Sequence, residues 1–366
     1  MKNEVITERQ AIIMVTLFII GTTLLNGTGS QAKQDAWIGI IIAISWSIIL
    51  LLMFSRILSL YPGKDLFDIL QIVMGNFLGN IISILMIWFA FHDGATIIRS
   101  LEDFTNTSVF ADTPVVVLMI PFIILVIWSL KEGIEVLGRW SEFFVWIVIL
   151  MFLTISLLSI TQMNTSNLKP ILYNNFTPVL KGAFSTFSYP FGETVIFTMV
   201  FSNISKTKNY KKTFIAGLLI GGGIILLATL RNILVLGDKT ISRIYFPSPM
   251  AISLINIGSV ITRLESVVFI IFLVCTFVKV SICTFAVCNG ISKVFRFDDY
   301  KFMATPVALL MLAFSLFIYK STMEMSAWTT NIWPYYSLPF EVIIPLVVFI
   351  VAEIRNRKSA AVVVPK

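Results

Sequence analysis

Apolar runs long enough to cross a lipid bilayer recur along the whole chain, and they limit its possible folds more than any other feature. A membrane-spanning helix needs roughly 20 mainly apolar residues. Ten runs approach this length, with predicted limits at residues 11–25, 37–60, 77–104, 115–130, 140–160, 180–201, 214–236, 267–291, 303–318 and 338–352. They do not alternate between polar and apolar residues, as barrel strands do. With 57% hydrophobic residues, the chain is predicted to be an all-α integral membrane protein of about ten transmembrane helices.

Lysine and arginine are distributed unevenly between the two sides of this ten-span arrangement. Seventeen of them lie at the termini and in the loops of one side, against six in the loops of the other. Because positively charged loops stay in the cytoplasm, both termini are predicted to be cytoplasmic. The net charge of +7 follows largely from this bias, so we expect a lipid bilayer around the chain and no nucleic acid partner. Acidic Glu4 and Glu8 argue against a cleaved signal peptide.

The spans divide into two halves of similar length. We expect a single polytopic membrane domain over residues 1–355, with one repeat at about 7–162 and a second at about 179–355. A cytoplasmic tail would follow at residues 356–366. With five spans in each half, the first span enters from the inside and the sixth from the outside. The halves are therefore predicted to be inverted repeats, an arrangement typical of transporters.

Residues that carry enzymatic or metal chemistry are sparse. His92 is the single histidine, and Cys275, Cys283 and Cys288 contain no Cys-x-x-Cys pair. No phosphate-binding loop, nucleophile elbow or zinc-protease motif is present in the sequence. We therefore expect neither an enzyme, nor a cofactor, nor a metal site.

The sixth span is interrupted by the sequence Ser188-Tyr189-Pro190-Phe191-Gly192-Glu193. Pro190 lacks an N–H group and clashes with the preceding turn, Tyr189 before it is biased away from helical angles, and Gly192 weakens the rest. The first span carries Gly21-Thr22-Thr23 at a similar depth. Both spans are therefore predicted to be broken within the membrane, in matching positions of the two halves.

A broken helix leaves backbone carbonyl and N–H groups without helical partners, and these are tolerated only beside protein or a water-filled cavity. The N–H groups favour a carboxylate, and the carbonyls with a nearby acid favour an ammonium group. A zwitterionic amino acid would satisfy both. Two roles stay open for Glu193: it caps the second half-helix, or it contacts a ligand amine or a proton.

The remaining charged residues of the spans differ in their predicted depth within the membrane. His92 and Asp93 lie midway along the third span, and Lys279 lies well inside the eighth. For Lys279 a structural charge is favoured over a coupling device, and its ammonium would then take the place that sodium fills in other transporters or pair with a carboxylate. Snorkelling or a structural ion pair at the outer end of a span is favoured over ligand contact for three arginines near Glu102, Asp103 and Glu265, namely Arg99, Arg231 and Arg263.

Three motifs, by their order and spacing along the chain, resemble the B-subunit family of GerA-type spore germinant receptors. This family is a branch of the amino acid/polyamine/organocation transporter superfamily. The motifs are Tyr189-Pro190-Phe191-Gly192-Glu193, Arg263-Leu264-Glu265-Ser266 and Asn167-Leu168-Lys169-Pro170-Ile171-Leu172, and the resemblance runs from about residue 6 to 354. It implies a fold like that of LeuT and a nutrient sensor of the spore inner membrane. The partners implied are an A-type membrane subunit and a C-type lipoprotein subunit.

The resemblance also implies a pocket between the first and sixth helices. Its residues would be Gly21, Thr22, Thr23, Tyr189, Gly192, Glu193, Thr194 and Phe197. Gly21-Thr22-Thr23 stands where the superfamily often has a Gly-x-Gly pattern. Three functions stay open at this point: a nutrient-sensing receptor subunit, a proton-coupled amino acid transporter in which Glu193 or Lys279 carries the proton, and a membrane scaffold with a vestigial pocket.

Overall fold

The protein folds as a bundle of transmembrane helices. The computed structural model describes residues 5–109, 114–173, 175–203, 209–241, 243–255 and 265–362. Within them, eight helices are long and apolar enough to cross a membrane. The other two predicted spans correspond to the shorter helix Val115–Glu132 and to the interrupted segment that begins at Thr177. The prediction of an all-α integral membrane fold is confirmed.

The spans follow one another along the chain with short connections. Seven of them are the helices Ala36–Leu60, Leu66–Phe104, Val115–Glu132, Ile134–Leu158, Tyr210–Leu236, Glu265–Phe295 and Ala304–Ile318. The third span is kinked at Gly75, which has φ 80° and ψ 170°, and three further spans consist of separate helical pieces. The first consists of Glu8–Ile20 and Thr23–Asn26, the sixth of Thr177–Thr186, Phe187–Phe191 and Gly192–Met199, and the tenth of Trp333–Leu338, Pro339–Ile343 and Ile344–Val362.

Short helices occupy the connections. They are Ser30–Asp35, Thr105–Val109, Ser159–Gln162, Thr165–Leu168, Phe201–Asn203, Asp238–Ile241, Pro247–Ser253, Lys301–Met303 and Thr322–Asn331. The first span begins at the N-terminal end of the bundle, which we call the proximal face, and ends at the opposite, distal face. The second span returns to the proximal face, where Arg56 binds Glu353 of the tenth span at 2.6 Å. The described end of the chain therefore lies at the same face as its beginning.

The first and eighth spans form the centre of the bundle. About 78% of the first span's apolar window and 72% of the eighth's is buried, against 28% for the third and fifth. The outer spans instead expose large apolar side chains such as Phe143, Trp146 and Leu150. A soluble domain would bury such side chains, whereas lipid tails solvate them. The central spans are therefore placed to carry the polar groups of the protein.

Glycines allow the seventh span to lie directly against the first. A Cβ atom on Gly217 would lie 2.5 Å from Val15 Cγ1, and one on Gly221 would lie 2.8 Å from Ile19 Cγ2. Small residues at a helix contact let the backbones approach closely, which is the main source of helix association within lipid. This contact holds the N-terminal half of the first span in place, up to its break.

Candidate functional site

The first span is interrupted at Gly21 and Thr22, between its two helical pieces. The Thr23 hydroxyl donates to the carbonyls of Ile19 and Ile20, each at 2.8 Å, and so satisfies two groups that the break leaves free. The carbonyl of Leu24 accepts a bond of 2.5 Å from the hydroxyl of Ser248, which lies on the distal helix Pro247–Ser253. Side-chain hydroxyls thus bind carbonyl groups on both sides of the break.

The sixth span changes its helical type around Pro190. Tyr189 has φ −122° and ψ 110°, an extended conformation within the π-helical turn Phe187–Phe191, as expected for a residue that precedes proline. A 3₁₀ helix, Gly192–Met199, follows. The Ser188 hydroxyl lies 2.7 Å from that of Ser337 in the tenth span. Breaks in the first and sixth spans are therefore present, as the sequence predicts.

Glu193 and Lys279 form an ion pair at the centre of the bundle. Lys279 Nζ lies 2.6 Å from Glu193 Oε2, and neither side chain has exposed surface. The ammonium also lies over the rings of Phe18 at 4.8 Å and Tyr189 at 4.9 Å, where the ring faces attract a cation. Lys279 thus joins the eighth span to the breaks of both the first and the sixth.

Asp93 adds a second carboxyl group to this cluster. It is buried on the third span and accepts a bond from the Cys283 thiol at 3.5 Å. Its charge also interacts with Lys279 and Glu193. The neighbouring His92 faces a different environment, since its ring lies 5.7 Å from Trp333 and 5.1 Å from Tyr336. Of this sequence-adjacent pair, only Asp93 belongs to the charged cluster.

Two adjacent cavities lie between the distal face and the cluster. The outer cavity, which we call the vestibule, has a volume of about 230 Å³ and is lined mostly by polar residues, among them Asn26, Tyr189 and Asn232. The inner cavity, which we call the chamber, has about 10 Å³ and is lined by Asn26, Asp93, Thr96, Ile97, Ser100, Tyr189, Glu193, Met325, Thr329 and Trp333. Asn26, Tyr189 and Thr329 line both, so these three residues form the wall between the vestibule and the chamber.

The chamber presents polar atoms that have no partner within the protein. The Glu193 carboxyl hydrogen-bonds with Asp93, but Asn26 Oδ1 and the indole Nε1 of Trp333 are buried without a partner. Buried polar groups are normally hydrogen-bonded, so each of these atoms is free to bind a polar ligand or water. The set contains an N–H donor as well as an acceptor, and it therefore suits a ligand that carries both kinds of group.

The predicted pocket residues divide into two groups. Tyr189 and Glu193 line the chamber, whereas the others do not: Gly21, Thr22, Thr23, Gly192, Thr194 and Phe197. The Thr194 hydroxyl donates to the Phe191 carbonyl at 2.5 Å. The Phe197 ring packs edge-on against Phe18 at 5.1 Å. These residues hold the breaks in place behind the chamber wall.

Some chamber residues are not predicted from the sequence. Asn26 and Trp333 supply unpartnered atoms, and Asn26 belongs to the polar sequence Asn26-Gly27-Thr28-Gly29 at the end of the first span. Glu341 is a further buried carboxyl that the sequence analysis missed, and it lies behind the sixth-span break. The sequence feature that could have indicated Glu341 is Pro339-Phe340-Glu341. It places a proline and an acid within a span, as the sixth span does.

The proximal face is closed beneath the cluster. The Asn289 side chain donates to Asp65 Oδ2 and to the Met199 carbonyl, each at 3.0 Å. Lys293 Nζ binds Asp68 at 2.7 Å. Burial raises the pKa of the Asp65 carboxyl, although the charge of Lys293 opposes the shift. These bonds join the third, sixth and eighth spans, so the cavity system opens towards the distal face alone in the described part of the chain.

The remaining charged residues lie nearer the distal ends of their spans. Arg99 pairs with Asp103 at 3.2 Å and with Glu102 at 3.8 Å. For Arg231 the sequence predicts snorkelling or an ion pair. Instead its guanidinium donates to Asn232 Oδ1 at 3.0 Å and lies over the Phe152 ring, with no carboxylate in salt-bridge range among the described residues. Arg263 lies outside the described residues, and with it the predicted pairing with Glu265.

Solved structures with the same arrangement define the class of fold. Mhp1, a nucleobase-cation-symport-1 family transporter solved in a closed conformation with bromovinylhydantoin bound, superimposes with a TM-score of 0.68 over 94% of this chain and 78% of its own, at 11% identity. MhsT in complex with L-phenylalanine gives a TM-score of 0.61 over 96% of this chain and 99% of its own, also at 11% identity. Both have the LeuT fold. The protein is therefore an integral membrane protein of the LeuT fold.

Sequence comparison identifies the family within this class. The family described as "Spore germination protein" matches residues 5–325. Spore germination protein KB of Bacillus subtilis is 30% identical over 363 residues, which cover 98% of this chain and 97% of that protein. The chain belongs to the spore germination protein family, and the predicted resemblance to B-type subunits of GerA-type receptors is confirmed.

Proposed function

We propose that the protein is a germinant-receptor subunit that binds a small nutrient with an amino group, such as an amino acid, in the chamber between the broken first and sixth spans. The observation that carries this proposal is the charge of the chamber wall. Asp93 and Glu193 supply two carboxyls, and Lys279 supplies the one ammonium that interacts with both among the described residues. Two carboxyls therefore face a single cation of the protein, and a ligand ammonium would supply a second positively charged partner for them.

The unpartnered atoms of the chamber support an amino acid over a simple amine. The Trp333 indole N–H is free to donate to a ligand carboxylate. In MhsT, which has the same fold, the bound molecule is L-phenylalanine. The chamber holds about 10 Å³, which is room for a single water. Ligand binding must therefore widen it, for example by moving Tyr189, and this movement would be the signal.

The setting follows from the family and from the charge distribution. We propose that the protein lies in the spore inner membrane with both termini in the cytoplasm, because lysine and arginine are concentrated on the proximal side. The vestibule would then open away from the cytoplasm, where nutrients arrive. An A-type membrane subunit and a C-type lipoprotein subunit would detect the movement.

Amino acid transport is the second candidate function. It is favoured by the closure around Asn289, because a cavity that opens on one side and is closed on the other corresponds to one of the two end states of an alternating-access cycle. A transporter must also open its proximal face, whereas a receptor need not. Uptake of radiolabelled amino acid into liposomes that contain the purified protein would identify the transporter.

Nutrient binding to the purified complex tests the proposal. A panel of amino acids is titrated into the wild type and into Asp93→Asn, with Glu102→Gln as a control that alters a buried acid outside the chamber. Removing one member of a buried charge cluster typically costs about 2–5 kcal/mol, so Asp93→Asn should weaken binding by roughly 30-fold or more. Equal affinities in all three proteins, or no binding of any amino acid by the wild-type complex, would refute the proposal.

A further inference from the structure

Glu341 is an acid within the tenth span that takes no part in the chamber. Its side chain has no exposed surface, and it is not among the residues that line the chamber or the vestibule. Among the described residues no charged group is hydrogen-bonded to it, and its hydrogen-bonding neighbour is the neutral Ser337 hydroxyl one turn earlier. Moving an isolated carboxylate from water into such surroundings is so costly that the group takes up a proton instead.

Glycine at position 192 lets Glu341 approach the sixth-span break. A Cβ atom on Gly192 would overlap the Glu341 carboxyl group. On its other side, the adjacent Phe340 ring stacks on Phe89 of the third span at 5.0 Å. The carboxyl is therefore enclosed between backbone and aromatic rings, which provide no charge to neutralise it.

The charged groups that face Glu341 do not stabilise an anion. The sixth span contributes Glu193, the third Asp93 and the eighth Lys279. The ammonium of Lys279 is already bound to Glu193 at 2.6 Å. On the tenth span itself, the nearest titratable side chain in sequence is Tyr336, whose hydroxyl accepts a bond from the Trp88 indole. The two carboxyls outnumber the single cation, so their combined field also favours a neutral Glu341.

We propose that Glu341 is a proton-binding site within the membrane, distinct from the Glu193–Lys279 ion pair, and that it holds a proton at neutral pH while the Gly192 backbone covers it. The exchange is a simple acid–base step, in which the O–H bond of the carboxyl breaks and the proton passes to water. Ionised Glu341 would add a negative charge beside Glu193. Loss of the proton would therefore push the tenth span away from the sixth-span break.

The direction of the pH effect follows from linkage. In the unfolded chain a glutamate loses its proton at about pH 4.3, whereas the proposed site holds the proton at neutral pH. The folded state then binds more protons than the unfolded state, and such a group makes folding less favourable as pH rises. Glutamine has the shape of the neutral acid without its proton, so Glu341→Gln should fold and should lose this part of the pH dependence.

Infrared spectroscopy of the purified protein at neutral pH tests the proposal directly. The wild type should show the C=O stretch of a protonated carboxylic acid, and Glu341→Gln should reduce this band by one group. The matched control is Glu353→Gln, which removes an acid of the same span that is paired with Arg56 at 2.6 Å. The control should weaken only the carboxylate bands. An unchanged acid band in Glu341→Gln would overturn the proposal.

The pH dependence of unfolding gives a second readout. Between pH 6 and 8, stability should fall more steeply in the wild type than in Glu341→Gln. Equal slopes, or a Glu341→Gln protein that does not accumulate in folded form, would contradict a neutral Glu341. Neither measurement uses a nutrient, so this proposal can fail while the proposed function stands, and the reverse also holds.

Discussion

Lys279 occupies the space that a side chain on residue 21 would need. A Cβ atom on Gly21 would lie 2.9 Å from Lys279 Cδ and 2.8 Å from the Phe18 carbonyl oxygen. Glycine at the first-span break therefore lets the lysine side chain pass behind the break to reach Glu193. The position of the Lys279 side chain therefore requires a residue without a side chain at position 21 of the first-span break.

Gly21→Ala is accordingly expected to destabilise the protein. Extra atoms in a packed core typically cost about 1–3 kcal/mol, and here they would press on the stem of Lys279. Unfolding of the purified protein in micelles of increasing SDS content would measure the loss. Gly223→Ala is the matched control, because a Cβ atom there meets nothing within 4 Å. The control should be neutral or stabilised by about 0.4–1 kcal/mol, and equal losses in both variants would contradict the close contact.

The Glu193–Lys279 pair should behave as a buried ion pair. Breaking one by removing a single partner typically costs about 3–5 kcal/mol, since it leaves an uncompensated charge. We expect a loss of this size for Lys279→Met, measured by the same unfolding assay. Adding Glu193→Gln should recover much of the loss, because the second change removes the orphaned charge. Strictly additive losses would show that the two residues do not interact.

Asn289 should control access from the proximal face. Asn289→Ala removes two hydrogen bonds that join the third, sixth and eighth spans. A loss of about 1–2 kcal/mol would raise the open fraction by roughly tenfold. Alkylation of Cys283, which is bonded to the chamber residue Asp93, would report this opening in a background with Cys275 and Cys288 changed to serine. The reagent should act faster only when it is added on the proximal side, and an unchanged rate would refute the prediction.

The sequence predicts where the helices break, but it does not predict which side chains from other spans contact the breaks. Pro190 and Gly192 disrupt a helix through their own covalent structure, whatever surrounds them. The Glu193–Lys279 pair joins residues 86 positions apart, and such a contact depends on how the spans pack. The depth of Lys279 was therefore predictable, but its partner was not.

The orientation of the sixth span also depends on a feature that the sequence does not specify. Gly192–Met199 is a 3₁₀ helix, in which residues three apart lie on one face. Thr194 and Phe197 therefore share a face, and the Phe197 ring packs against Phe18. Glu193 lies on another face, next to Lys279. A predicted pocket that includes all three residues assumes that the whole turn faces the ligand.

Ser248 should couple the distal helix to the first-span break. Its hydroxyl donates to the Leu24 carbonyl and accepts from Asn232 at 2.9 Å. Ser248→Ala would leave both groups unpaired, at a cost of about 1–3 kcal/mol. Ser253→Ala is the control on the same short helix, where the hydroxyl donates to the Met250 carbonyl of that helix. Chemical unfolding should separate the two variants, and nutrient affinity should fall in Ser248→Ala alone because Asn26 lies two residues beyond Leu24. If both serines can be replaced without effect, the distal helix does not hold the break.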